Sequence, residues 1–175
     1  VTVSGNTSKL GGGGVFNWGA LDLNNVTIAN NTADVNGNGT GSGGGLVTFG
    51  GAATLKNTLV GGNADNSAFW KYPDCLGVLN SKGYNLIQNT NGCLINGTTT
   101  GNVTGKSPNL GPLQNNGGGT LTHALPAGSP AIDAGNPAGP GSGGAACEAT
   151  DQRGVLRPRG AACDIGAFEA GVPDF

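Results

Sequence analysis

The chain has 175 residues, a formal net charge of -2 and only 10% charged residues, with 36 glycines and 9 prolines. Gly, Asn, Thr and Ser fill 81 positions and form helix interiors poorly, so long helices are excluded. The near-neutral, slightly acidic balance excludes a protein driven by nucleic-acid phosphate contacts, and no run of 18 apolar residues offers a membrane span. So much glycine borders on low complexity, but disordered chains carry stronger charge imbalance, and here the apolar residues recur with a period.

The period is visible from the first residues. Val1-Thr-Val-Ser-Gly-Asn6 aligns with Val26-Thr-Ile-Ala-Asn-Asn31, with Thr58-Leu-Val-Gly-Gly-Asn63 and, more loosely, with the segment from Asn85, at spacings of 25, 32 and 27 residues. A second register supports it, because Val15-Phe-Asn-Trp-Gly and Leu46-Val-Thr-Phe-Gly both follow runs of glycine. Repeats of this length stack, and segments with strand chemistry broken by Gly and Asn-Gly turns predict a right-handed parallel β-helix of about four to five coils over residues 1–106. Val3, Ile28, Val60 and Ile87 are expected to form one core column and Val1, Val26 and Thr58 another. Asn6, Asn31 and Asn63 fall in a turn column, where inward amides pair along the axis. Insertion loops are predicted at 34–44 and 65–84, and residues 107–175 read as a capping module of the same domain.

The second insertion carries Phe69, Trp70 and Tyr72, three of the nine aromatic residues. These rings read as a hydrophobic lid over an open flank, with the alternative that they are exposed to stack on sugar or anchor a partner. Phe16 and Trp18 are expected to pack against the coil. Cys75, Cys93, Cys147 and Cys163 lack the spacing of a zinc site. The economical pairing is Cys75 with Cys93 and Cys147 with Cys163, each loop worth roughly 3 kcal/mol in the chain-entropy model. Two disulfides imply an oxidising compartment, hence a secreted or cell-surface protein. Six sequons, at Asn6, Asn25, Asn30, Asn38, Asn96 and Asn102, offer glycosylation acceptors. The chain opens on Val1 and contains no methionine, so a processed leader is expected upstream.

Beyond Asn102 the repeat fades into a segment rich in charge. Glu148, Asp151, Arg153, Arg157, Arg159, Asp164 and Glu169 lie within 22 residues, and Arg153 is expected to pair with Asp151 or Asp164 in a structural cap closed by Asp151, Arg153, Asp164 and Glu169. The strings GYNLI, NNGGGTLTHALPAGSPAIDAG and TDQRGVLRPRGAACDIGAFE, within residues 83–169, resemble the C-terminal end of secreted bacterial β-helix proteins of the choice-of-anchor Q or polymorphic outer-membrane-protein-like group. The resemblance implies an extracellular right-handed parallel β-helix and carries no agreed activity.

The function read from these residues is an extracellular structural or adhesive solenoid, with partners among copies of itself, by strand addition or end-on stacking, and among carbohydrates. The alternative is a polysaccharide-binding or polysaccharide-cleaving β-helix. Cleavage needs carboxylates gathered on one face, yet Asp22 faces Thr54 in the next coil and the acids before residue 107 lie far apart. His123 reads as a structural hydrogen-bonding group. Basic residues interleaved with Asp133, Asp151, Asp164 and Glu169 favour ion pairing over metal binding. No catalytic residue, metal site or cofactor is therefore expected.

Overall fold

The computed structural model describes residues 1–171, and every regular element among them is a β-strand. The first turn contains β1 (Thr2–Ser4), β2 (Val15–Asn17) and β3 (Ala20–Asn24). The second repeats it as β4 (Thr27–Ala29), β5 (Thr32–Ala33) and β6 (Leu46–Lys56), and the third as β7 (Leu59–Gly61), β8 (Ala64–Asp65) and β9 (Cys75–Lys82). A further level, β10 (Leu86–Ile87), β11 (Cys93–Thr98) and β12 (Val103–Thr104), starts without completing all faces. One face stacks β1-β4-β7-β10-β12; the second stacks β2 and β3 on β6, then β9 and β11; the third pairs β5 with β8. All these pairings are parallel, so the fold is a parallel β-solenoid. It has about three turns, fewer than the four to five expected, because the fourth aligned repeat copy, β10, opens a level that does not complete all faces.

The register places like residues over like. Val3, Ile28, Val60 and Ile87 are consecutive partners, and on the opposite face Leu21, Ala53, Leu79 and Ile95 form a second row. With Leu23, Leu46 and Leu55 they fill the solenoid interior, where each fully buried aliphatic side chain contributes roughly 1.5–3 kcal/mol. Val26 and Thr58 are buried as the second predicted column requires, whereas Val1 is exposed. Two corners need left-handed backbone on every level. One is filled by Gly5, Asn30 and Gly62 and the other by Asn25, Asn57 and Tyr84, and the small polar side chain of Asn tolerates that geometry better than most.

The other side of the first sheet is not left to solvent. Leu59 and Leu86 pack with Leu125, Ala131 and Ile165 of the C-terminal segment. That segment, which includes the antiparallel pair β13 (Leu113–Gln114) and β14 (Thr122–His123), bonds to successive levels of the sheet. Thr2 Oγ1 donates to Gln152 Oε1 at 2.7 Å, Ala167 N–H to Thr27 Oγ1 at 2.9 Å and Gly166 N–H to Asn57 O at 2.8 Å. The loop-rich, disulfide-stapled module is thus present, but it lies along the flank of the solenoid. The central strands of the first sheet, β4, β7 and β10, are buried on both faces, as parallel sheets require. The predicted insertion at 65–84 is also shorter, because most of its second half is β9, a strand of the solenoid wall.

The turn column of asparagines is a continuous hydrogen-bonded ladder. Asn6 Nδ2 donates to Asn31 Oδ1, Asn31 Nδ2 to Asn63 Oδ1, and Asn63 Nδ2 to Asp74 Oδ1, each at 2.9 Å. The backbone N–H of each asparagine donates to the same oxygen, and the amides of Asn31 and Asn63 also donate to Val3 O and Ile28 O. Asp74, an acceptor only, closes the ladder and takes Asn89 N–H on its second oxygen at 2.8 Å. A second amide run at the opposite corner links Thr58 N–H to Asn85 Oδ1 and Asn85 N–H to Asn102 Oδ1. Asn63→Ala strands several buried partners at once and should cost at least about 3 kcal/mol, whereas Asn6→Ala, at the exposed end, should cost less than about 1 kcal/mol. Urea denaturation of the two variants measures the difference.

Candidate functional site

Two loops on adjacent levels project from the corner between the third and second faces. In the first, Asp34 is fully buried, and its two oxygens accept Asn38 N–H at 3.1 Å and Gly39 N–H at 2.8 Å. In the second, buried Asp65 accepts Gly43 N–H and Tyr72 N–H on one oxygen and Ser67 N–H on the other, with Ser67 Oγ 2.7 Å away. These bonds hold the Asp65 carboxyl below its ordinary range despite its burial, so it stays ionised. One carboxylate therefore fixes both loops at their bases. Gly44 N–H donates to Tyr72 O, Asn91 Nδ2 to Lys71 O, and the Cys75–Cys93 disulfide pins the strand that follows.

Between these loops runs a shallow groove of about 180 Å³, lined by Gly39, Gly41, Ser42, Ser67, Phe69, Trp70 and Tyr72. Phe69 is 87% exposed and Trp70 74% exposed, so the expected hydrophobic lid does not form. Tyr72 is half-buried and packs on Gly92, where a side chain would collide with its ring.

A second aromatic group lies on the second face. After Thr48 the strand β6 bulges relative to β9, and the preceding level bulges with it at Trp18. Trp18 and Phe49 meet edge to face at 4.8 Å between centroids, with Phe16 6.0 Å from Trp18. All three are exposed, in contrast to the expectation that Phe16 and Trp18 pack on the coil. The buried amide of Asn17 braces the ridge, accepting Gly19 N–H and donating to Gly19 O. Trp18 and Phe49 occupy the same position of the glycine-led register, so the pairing was readable in that alignment.

Within the charged cluster of the C-terminal module, Asp151, Arg157, Asp164 and Glu169 are buried, whereas Glu148 and Arg159 are exposed. Arg153 pairs with Asp151 at 2.7 Å, one of the two expected pairings, and lies 3.6 Å over the Phe168 ring. Arg157 pairs with Glu169 at 2.7 Å with both side chains fully buried, a pairing the sequence reading did not single out. Glu169 also accepts Arg159 N–H and Asp164 N–H, and Asp164 accepts Asp133 N–H and Ala170 N–H. Here the acids organise backbone. Among the described residues no three His, Cys, Asp or Glu side chains gather in a way that could hold a metal ion. Cys147–Cys163 closes the module, and buried His123 bridges Ser4 Oγ and Gly111 O, both at 2.7 Å.

The sequons divide by geometry. Asn25 is buried with its amide donating to Asp164 O and Gly166 O, which leaves no room for a glycan on its nitrogen. Asn6 and Asn102 are bound into the amide runs. Asn30, Asn38 and Asn96 are exposed.

Compared with protein-family models, curated proteins and solved structures, the chain matches none of them. Fold and groove geometry thus carry the functional reading.

Asp164 gives the module a pH signature. Burial, with the nearby Glu169 charge, pushes its carboxyl up to about 7 against the two backbone N–H groups and Arg157. The folded state then binds a proton that the unfolded chain releases near pH 4, so stability should fall as pH rises from about 4 to about 7. Burial also raises Asp74, with the same sign. Thermal midpoints should be lower at pH 8 than at pH 5, and Asp164→Asn should flatten that slope whatever its absolute stability.

Proposed function

We propose that this chain is a secreted or cell-surface adhesive solenoid that binds polysaccharide through the Phe69–Trp70–Tyr72 groove. The observation that carries the reading is the exposure of Phe69 and Trp70 on a loop held rigidly at its base by Asp65. Large exposed rings at little entropic cost are what a sugar's C–H face stacks on, and neighbouring Ser42, half-buried in the groove wall, supplies a hydroxyl for its polar edge. Two disulfides suit an oxidising compartment, and no helix among the described residues is long and apolar enough to cross a membrane. The motifs within residues 83–169 support kinship with the choice-of-anchor Q or polymorphic outer-membrane-protein-like group. Binding without cleavage agrees with the acids of the solenoid, since Asp34, Asp65 and Asp74 are buried and engaged by backbone.

Retention on immobilised polysaccharides tests the reading. Trp70→Ala should weaken binding by about tenfold or more, the scale of a central aromatic contact. Trp18→Ala should leave it unchanged. The reverse pattern would move the site to the Trp18–Phe49 ridge.

A further inference from the structure

The whole chain is acidic, but the part of its surface that borders the groove is not. Of the four acids in the solenoid, Asp34, Asp65 and Asp74 are buried, and the fourth, Asp22, is exposed on the second face, where Lys56 lies 3.6 Å away. The carboxylates beneath the groove are already solvated by the protein's own N–H groups, so none is presented to a ligand. The cations are arranged the other way. Lys71 is exposed between two lining residues, Trp70 and Tyr72. Lys9 is exposed on the level above, in the segment whose Leu10 O accepts Asp34 N–H and lies against Gly41 of the groove wall. Neither lysine has a carboxylate within ion-pair distance among the described residues.

Resting on the groove as a carbohydrate site, we infer that its ligand is an acidic polysaccharide. The rings stack on the sugar faces while Lys71 and Lys9 meet the carboxylate or sulfate groups. An exposed ammonium contributes modestly, but a polymer presents many anionic groups to the two cations and raises the effective concentration of each. Exposed charges of this kind are screened by salt within about 10 Å at 0.1 M.

The test compares charged polymers with uncharged counterparts of the same backbone: polygalacturonate with its full methyl ester, and dextran sulfate with dextran. At low salt at least one charged form should bind roughly threefold or more tightly than its neutral partner, and the preference should vanish at about 0.5 M salt. The double variant Lys9→Ala/Lys71→Ala should bind charged and neutral forms alike, while Trp70→Ala loses both. Equal, salt-independent binding of each pair that still depends on Trp70 would overturn the inference and leave the groove reading standing. Failure of all four polymers to bind would overturn both.

Discussion

Everything in this solenoid depends on satisfying buried backbone and amide groups along the stacking axis. A parallel coil turns its corners with N–H and C=O groups that neither strand ladders nor solvent can reach, and an unpaired one costs as much as a core truncation. Asparagine meets that need because its side chain carries both donor and acceptor, so one residue per level receives from the level on one side and donates to the other. The Asn6, Asn31, Asn63 run has a direction as a result, and Asp74 ends it because a carboxylate has nothing left to pass on.

The same chemistry builds the candidate site. Where the ladder corner gives way to the projecting loops, buried aspartates take over from asparagines and gather the N–H groups of turns. Loops organised by internal carboxylates can afford side chains that do nothing for the fold, and Phe69 and Trp70 are such side chains. Rigidity below and apolar surface above are two results of one arrangement. The C-terminal module repeats it with Asp151, Asp164 and Glu169, whose oxygens are consumed by backbone and by two arginines.

The columns of Val3, Ile28, Val60 and Ile87 and of the three asparagines were legible in the sequence, because in-register stacking makes spatial neighbours of aligned repeat positions. Both disulfide pairings were legible from loop length alone. Strand β9 was hidden: Gly77 and Ser81 interrupt its apolar pattern, and it sits beside an aromatic loop that looks like part of one excursion. The exposure of Phe69, Trp70 and Trp18 could not be read, since hydrophobicity predicts burial unless the neighbouring backbone is already fully occupied, and that occupancy is set by residues distant in sequence. The flank position of the C-terminal module was also beyond reach. It follows from Leu59 and Leu86 pointing outward, and in a fully buried strand the alternation that distinguishes the two faces disappears.

That flank position changes how the molecule comes apart. In an open repeat array each unit touches only its neighbours, so the ends can fray and the stack can peel one level at a time. Here Gln152 holds Thr2 across 150 residues of sequence, Ala167 holds Thr27, and Gly166 holds Asn57. A strap along the axis ties the levels into one body, and no level can leave until the strap has let go. The nearest-neighbour array becomes an all-or-none unit whose assembly must wait for the last third of the chain to be made.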